Sequence, residues 1–424
     1  MNTPVEIWLD IIDHILFDPI SYLTDPFYPG CNLHTAVDQW TDNKRLRNLE
    51  FQRGTLRLVS RFWKNVVDAR PWTYFEPYRY KKLVVGDPRG QLEHSRRLEF
   101  YEPCKDHILG SEPFGCCQCL EGISATTHDT SLFVDLDKSK FKVTILRLPL
   151  WGHCGQYLEA SQERVGEIFP HLRALFISIN RAPKSGLLPL FENLTFLSMR
   201  LERSAGWPRA AAEPYCLPAV QTLQIEVTNN FSFEFWKYWD MPSLVHLILS
   251  STSPLGLLVP LDAILANLGT NLISLRIYSR EGYLLLPNDI WEMVPRLEYL
   301  GTSALNRSES VALLESSGPP SDHPLRTFGI VEVPSMYTAR EDADLIAQNW
   351  QALSVIADSH LWGDMPKDYS SELDTLSHPH MHIYDFCWMC FAVLHETCKQ
   401  LGLRYEDRTG KTWEEFQAEN LAVN

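Results

Sequence analysis

Hydrophobic side chains in the first seventy residues recur at the three- and four-residue steps of an α-helix. Residues 4–16 carry one broad stripe, formed by Val5, Trp8, Leu9, Ile12, Ile15 and Leu16, with Ile7 and Ile11 beside it. Residues 55–67 carry a second stripe, formed by Leu58, Val59, Phe62, Trp63, Val66 and Val67. We therefore expect two amphipathic helices that bury their stripes on each other or on a partner helix. Thr3 and Pro4 suit the start of the first helix.

A different hydrophobic pattern occupies the middle of the chain. A phrase of the form L-x-x-L-x-[LI] recurs from FPHLRALFIS to HPLRTFGIVE, preceded by a related unit, KVTILRLPL, and each unit begins 22 to 29 residues after the preceding one. This spacing resembles that of leucine-rich repeats, which run about 20–29 residues per unit. We predict stacked parallel strands with short outer helices and an open inner face. The anchor positions are Val143, Leu172, Leu194, Val220, Leu244, Leu272, Leu297 and Leu325.

Strand residues that alternate with the leucine positions are expected to point to solvent on the inner face. Aromatic residues and arginine are common in binding hot spots, so this face is a candidate for binding a target protein. The candidate target-binding residues are Phe176, Phe196, Arg200, Glu226, His246, Arg276, Tyr278 and Tyr299. The alternative is an ordinary surface, because scattered exposed aromatic side chains are normal.

The repeat pattern stops near residue 335. The segments REDADLIAQNWQALSVIADSHLW and HIYDFCWMCFAVLHETCKQLGL are predicted to be helices that cap the solenoid, and the tail KTWEEFQAENLAVN is expected to fray. The predicted fold class is α/β. It has a helical module at 1–75 with an insertion at about 18–53, an irregular solenoid of parallel strands and short helices at 76–335, and a helical cap and tail at 336–424.

The two N-terminal segments together resemble an F-box. Pro4, Glu6, Ile7, Ile11 and Ile15 match the first half of that family's pattern. The second half is matched by Leu56, Leu58, Val59, Ser60, Arg61 and Trp63. Two departures are Thr3, where the family usually has leucine, and the long proline-containing spacer at 18–53, for which we predict a loop with a short helix at 41–51.

The resemblance implies docking on the Skp-type adaptor of a cullin–RING ubiquitin ligase. The residues that would face this adaptor, and would therefore be exposed in the isolated chain, are Pro4, Ile7, Ile11, Leu56, Val59 and Trp63. The repeat arc would then hold a target protein, and the chain would be a substrate-recognition adaptor, not an enzyme. Two alternatives stay open: these side chains pack inside their own chain, or the protein is a repeat-based binding scaffold without a ligase role.

The charge balance narrows the classes of partner. With 38 basic and 53 acidic residues the formal net charge is −15, which argues against nucleic acid and anionic lipid as partners. No apolar run is long enough for a membrane helix, and the acidic start does not resemble a signal peptide. The ten cysteines show no disulfide framework, so we expect a reducing compartment, the cytosol or the nucleus.

Candidate chemistry is sparse. Cys387, Cys390, His395 and Cys398 have a zinc-like order but fall along one side of the predicted helix, where four ligands cannot converge tetrahedrally. The other candidate is a loop-rich group with irregular spacing, formed by Cys104, His107, Cys116, Cys117 and Cys119. We expect no metal, no cofactor and no catalytic residues. A hydrolase or metalloenzyme that uses the second group is the remaining alternative.

Overall fold

The computed structural model describes only part of the chain. The described residues are 5–16, 43–68, 74–75, 97–99, 143–148, 170–179, 192–201, 215–227, 239–251, 261–279, 287, 289–302, 319–330, 354–357, 395–400, 402–407, 412, 414–415 and 418. They fall into two compact units: the described residues up to Met199 and residues 215–219 belong to the first, and residues 200–201 and those from Val220 onward belong to the second. The N-terminal helices and the first strands belong to the first unit, and the later strands belong to the second.

Three helices begin the first unit: α1 at Val5–Leu16, α2 at Asn43–Val59 and α3 at Arg61–Asp68. The prediction of α1 is confirmed. The prediction of one helix across residues 55–67 is wrong, because Ser60 separates α2 from α3. The Ser60 hydroxyl accepts a hydrogen bond of 3.1 Å from the backbone N–H of Trp63, so it caps the start of α3. The short helix expected at 41–51 is the beginning of the longer α2.

The three helices share a small apolar core. Its buried members are Ile12, Leu56, Val66 and Val67, with Leu9, Ile15, Leu16 and Trp63 packed against them. The rings of Trp8 and Trp63 lie 5.2 Å apart and join α1 to α3. Polar contacts join α2 to the end of α3: Arg53 donates a 2.8 Å hydrogen bond to the carbonyl of Val67, and Arg57 lies 2.9 Å from Asp68.

Parallel strands follow the helices in the first unit. Each of the pairs β1–β2, β2–β3 and β3–β4 is parallel and in register, and the N–H of Phe196 at the start of β5 donates to Arg173 beside β4. These strands are β1 at Tyr74–Phe75, β2 at Arg97–Glu99, β3 at Ile145–Leu148, β4 at Ala174–Ile179 and β5 at Phe196–Leu201. The short β6 at Tyr215–Cys216 is not part of this sheet. The anchor residues Val143, Leu172 and Leu194 are buried, as the repeat pattern predicts.

The second unit continues this architecture. The strands β7, β9, β10, β11, β12, β13 and β14 pair in parallel in that order. They are β7 at Thr222–Val227, β9 at His246–Ser251, β10 at Ser274–Ser279, β11 at Tyr299–Thr302, β12 at Thr327–Ile330, β13 at Ser354–Ala357 and β14 at Arg404–Asp407, with the short β8 at Trp239–Asp240 between β7 and β9 in the sequence. Short helices, α4 at Leu261–Leu268 and α5 at Ile290–Met293, precede β10 and β11. The predicted α/β solenoid of parallel strands is therefore confirmed for these residues.

Each of the anchor residues that precede strands in the second unit is buried. Val220, Leu244, Leu272 and Leu297 are at most 1% exposed, and Leu325 is 7% exposed. Two asparagine residues that directly precede anchors contact the repeat before their own. The side chain of Asn193 donates a hydrogen bond to the carbonyl of Pro170 in the first unit, and the side chain of Asn271 donates one to the carbonyl of Pro242 in the second. These bonds repeat the same contact between successive units of the pattern.

The C-terminal segment differs from the prediction of two capping helices. Residues 354–357, within the first predicted helix, form strand β13 and extend the stack of parallel strands. Residues 395–400 are helical, as predicted, and β14 follows them. Part of the expected frayed tail is bonded: Thr412 and Glu415 exchange hydrogen bonds of 2.8 and 3.3 Å in a capping box.

None of the helices in the described ranges has the length and apolar character needed to cross a membrane.

Candidate docking surfaces

Exposed apolar side chains are concentrated in the N-terminal helices. Among the residues that the structure describes, every exposed large hydrophobic side chain lies in α1, α2 or α3. Leu58 is 88% exposed and Phe51 is 76% exposed. Leaving apolar side chains of this size in water is unfavourable in free energy compared with burying them. We call this set the helical apolar surface, and it consists of Val5, Ile7, Ile11, Phe51, Leu58, Val59 and Phe62.

The predicted adaptor-facing residues fall into different environments. Ile7, Ile11 and Val59 are exposed and belong to the helical apolar surface. Leu56 is only 9% exposed and packs in the three-helix core, so the exposure expected of it is wrong. Trp63 is half-buried against that core, and Pro4 lies outside the described residues.

Four members of the helical apolar surface were not among the predicted adaptor-facing residues. They are Val5, Phe51, Leu58 and Phe62. The hydrophobic stripes in the sequence contained three of them, Val5, Leu58 and Phe62, but periodicity alone left open whether they pack on each other or on a partner helix. Phe51 lies in the long spacer and had no signal in the pattern.

The strand face of the first unit is less open than predicted. Phe176 is 4% exposed and Phe196 is 1% exposed, so the prediction that both point to solvent is wrong. Their rings lie 5.2 Å apart, and the guanidinium of Arg147 lies 5.3 Å from the centre of the Phe176 ring. These side chains therefore form a packed cluster across neighbouring strands. Aromatic side chains that pack on each other across strands are stabilised by their contact and by removal of apolar surface from water.

The strand face of the second unit keeps several predicted residues at least partly exposed. Arg200 and Glu226 form an ion pair of 3.8 Å and remain 44% and 34% exposed, while His246, Arg276 and Tyr299 are half-buried. Tyr278 lies on β10, and its side chain is outside the described residues. An exposed pair of this kind contributes little to stability.

Polar side chains line up across five strands on this face. Strand pairing places each residue directly beside the next in register: Thr222, His246, Ser274, Tyr299 and Thr327. We call this set the polar row. The neighbouring row on the opposite face is apolar and at most 1% exposed, formed by Leu223, Leu247, Leu275, Leu300 and Phe328. The apolar row forms the core of the stack, and the polar row faces away from it.

Two glycines support the tyrosine of the polar row. A Cβ atom added at Gly301 would lie 2.7 Å from the Tyr299 hydroxyl oxygen, and one added at Gly329 would lie 2.6 Å from its Cζ atom. Gly301 and Gly329 are paired on β11 and β12. The Tyr299 ring therefore lies flat over the two strands, in space that only glycine leaves free.

The described cysteine and histidine residues do not form a ligand cluster. Cys398 is fully buried, and desolvation raises the pKa of its thiol to about 12, which favours an inert core thiol. His395 lies 3.1 Å from the carboxylate of Glu414. The residues Cys104, His107, Cys116, Cys117, Cys119, Cys387 and Cys390 lie outside the described part of the chain.

Comparison with known proteins assigns no family. The chain matches no protein-family model, and no curated protein is significantly similar to it.

Proposed function

We propose that this protein is a substrate-recognition adaptor of a cullin–RING ubiquitin ligase and has no catalytic residues of its own. In this proposal α1–α3 form an F-box-like module that docks on a Skp-type adaptor, and the leucine-rich-repeat-like strands hold a target protein. Catalysis then consists of proximity, because the target is brought close to a ubiquitin-conjugating enzyme that the ligase carries.

The observation that supports the proposal is the helical apolar surface. Exposed large apolar side chains that are concentrated in one module favour an interaction site, because a partner that covers them removes apolar surface from water. Here Ile7 and Ile11 on α1, and Val59 at the end of α2, are exposed and also match positions of the F-box pattern. An apolar partner helix would remove their surface from water.

A pull-down with a purified Skp-type adaptor tests the proposal. The wild-type chain is expected to bind, and Val59→Asp is expected to weaken binding at least about 30-fold, because a hot-spot side chain is replaced by a charge that the interface would bury. The melting temperature should stay unchanged, because Val59 is 58% exposed. Leu56→Asp is unsuitable, since it would place a charge in the three-helix core.

Asn48→Asp provides the matched control. It introduces the same carboxylate at an exposed polar position of the same helix, α2, and should bind the adaptor like the wild type. If the correctly folded wild-type chain fails to bind the adaptor, or if Val59→Asp binds equally well, the ligase role is wrong. The remaining hypothesis would then be a binding scaffold without a ligase role.

A further inference from the structure

One side of α2 carries an exposed apolar stripe that does not take part in the three-helix core. Phe51 and Leu58 lie seven residues apart, so they fall on the same side of the helix, and Gly54 lies between them. Their side chains are 76% and 88% exposed. Leu56, which packs in the core with Ile12, lies on the other side of α2. We call Phe51, Gly54 and Leu58 the α2 stripe, and it faces away from the core.

The glycine in the α2 stripe has no packing role in the free chain. Its backbone is not left-handed, and within the described ranges nothing beyond its own turn of the helix lies within 4 Å of a Cβ atom added at Gly54. Glycine inside a helix is destabilising compared with alanine, because it loses more conformational entropy on folding. A partner helix that crosses α2 between Phe51 and Leu58 explains the glycine, because a residue without a side chain lets two helix backbones approach closely.

The charge around the α2 stripe indicates the chemistry of this partner. Residues 43–68, which form α2 and α3, contain seven basic and two acidic residues, a net charge of +5 in a chain whose net charge is −15. Basic residues precede the stripe in α2 and follow it in α3, and they include Lys44, Arg45, Arg47, Arg61 and Lys64. A second copy of the chain would bring like charges together, whereas an acidic partner would meet opposite charge at both ends of the stripe.

We propose that the α2 stripe docks an acidic amphipathic helix of a partner protein, which crosses α2 at Gly54 and places apolar side chains on Phe51 and Leu58. Carboxylates at the two ends of this helix meet the basic residues at the ends of the stripe. An anionic membrane fits less well, because a lipid surface gains nothing from a glycine and the chain as a whole is acidic. The inference does not rest on the ligase role, since only Leu58 of the stripe matches the F-box pattern.

Two synthetic peptides test the charge and the docking. Both are helices of about eighteen residues, comparable in length with α2, and have the same leucine face. One carries glutamate at both ends, where the other carries lysine. In fluorescence polarisation with the full chain at low salt, the glutamate peptide should bind at least about 30-fold more tightly than the lysine peptide. This ratio should fall as salt rises.

Substitutions in α2 test the position of the crossing. Gly54→Leu should weaken binding of the glutamate peptide at least about tenfold, because the new side chain holds the two helices apart. Its melting temperature should stay unchanged or rise, because leucine forms helices better than glycine. Phe51→Ala should weaken binding by a similar factor. Gln52→Leu is the matched control: it introduces the same side chain at an exposed position on a different side of α2, and binding should stay unchanged.

The proposal is overturned if neither peptide binds, if both bind equally, or if Gly54→Leu and Gln52→Leu have the same effect. Two other occupants would also overturn it: a second copy, seen as a dimer that Gly54→Leu dissociates, or a membrane, seen as binding to phosphatidylserine vesicles that Phe51→Ala abolishes. The outcome is independent of the adaptor pull-down. Peptide binding without adaptor binding would refute the ligase role alone, and adaptor binding without peptide binding would refute only this inference.

Discussion

Gly329→Ala is the substitution for which the structure makes the sharpest prediction. A Cβ atom at Gly329 would overlap the hydroxyl of Tyr299 and lie 2.6 Å from Cζ and 3.1 Å from Cε2 of the same ring. Gly329 does not adopt the left-handed backbone conformation that favours glycine, and the three atoms nearest to the new Cβ all belong to this ring. The ring must rotate off both Gly301 and Gly329 to make room for the new methyl group.

Two opposing effects set the magnitude. Overpacking of this kind usually costs about 1–3 kcal/mol. Replacing glycine by alanine also reduces the entropy of the unfolded chain, which stabilises the protein by about 0.4–1 kcal/mol where the backbone is compatible. The net expectation is a destabilisation of about 0.5–2 kcal/mol, with Tyr299 responsible for the unfavourable part.

A double-mutant cycle isolates the contribution of Tyr299. In the Tyr299→Ala background the obstacle is gone, so Gly329→Ala should change sign and stabilise by about 0.4–1 kcal/mol. The midpoint of urea unfolding measures the global effect, and hydrogen exchange in β11 and β12 measures the local one. Gly54→Ala, at a helical glycine with nothing within 4 Å of the new Cβ, should stabilise in both backgrounds.

Equal destabilisation by Gly329→Ala with and without Tyr299 would refute this reasoning. The glycine would then be needed for a property of the backbone, and the flat position of Tyr299 in the polar row would not depend on it.

Three further predictions concern other parts of the molecule. Arg53→Met keeps the aliphatic stem but loses the hydrogen bond to Val67, so the helical module should lose about 1.5–3 kcal/mol in thermal unfolding; an unchanged melting temperature would contradict this. Ser60→Ala removes the cap of α3 and should cost about 1 kcal/mol, whereas Ser60→Asp, which retains a capping oxygen, should cost less. At neutral pH a thiol reagent should label the exposed Cys216 quickly and Cys398 only after unfolding, because burial raises the pKa of Cys398 to about 12. Mass spectrometry of the labelled peptides measures the order of labelling, and labelling of Cys398 before Cys216 would contradict this prediction.

The repeat pattern predicted the strands well but ended too early, because two further parallel strands, β13 and β14, follow the last predicted unit. All eight predicted anchor residues are buried, and the paired strands are parallel. The next anchor position, 27 residues after Leu325, holds Ala352, so a search for leucine passed over it. The following strand, β13, contains the short run Ser-Val-Ile-Ala, which also fits a helical stripe. Pairing with β12 decided between the two, and this contact is not visible in the local sequence.

The N-terminal module shows the same division. Local spacing predicted helical stripes, but it could not tell which stripe residues would be covered. Leu56 and Val59 are three residues apart on one helix, yet only Leu56 meets Ile12 and Val67 in the core. Which side of α2 is buried depends on where α1 and α3 pack, and residues distant in sequence determine that.

By itself, the amino-acid order determined the periodicities: helical stripes at the start, strands every 22 to 29 residues in the middle, and an apolar row down one side of the stack. These features arise between neighbours along the chain, so spacing reveals them. Only the tertiary structure decided which polar and aromatic side chains remain accessible. It buried Phe176 and Phe196, left the helical apolar surface open, and aligned the polar row without partners for two of its hydroxyls. Burial and hydrogen bonding depend on distant segments meeting, and no local pattern encodes that.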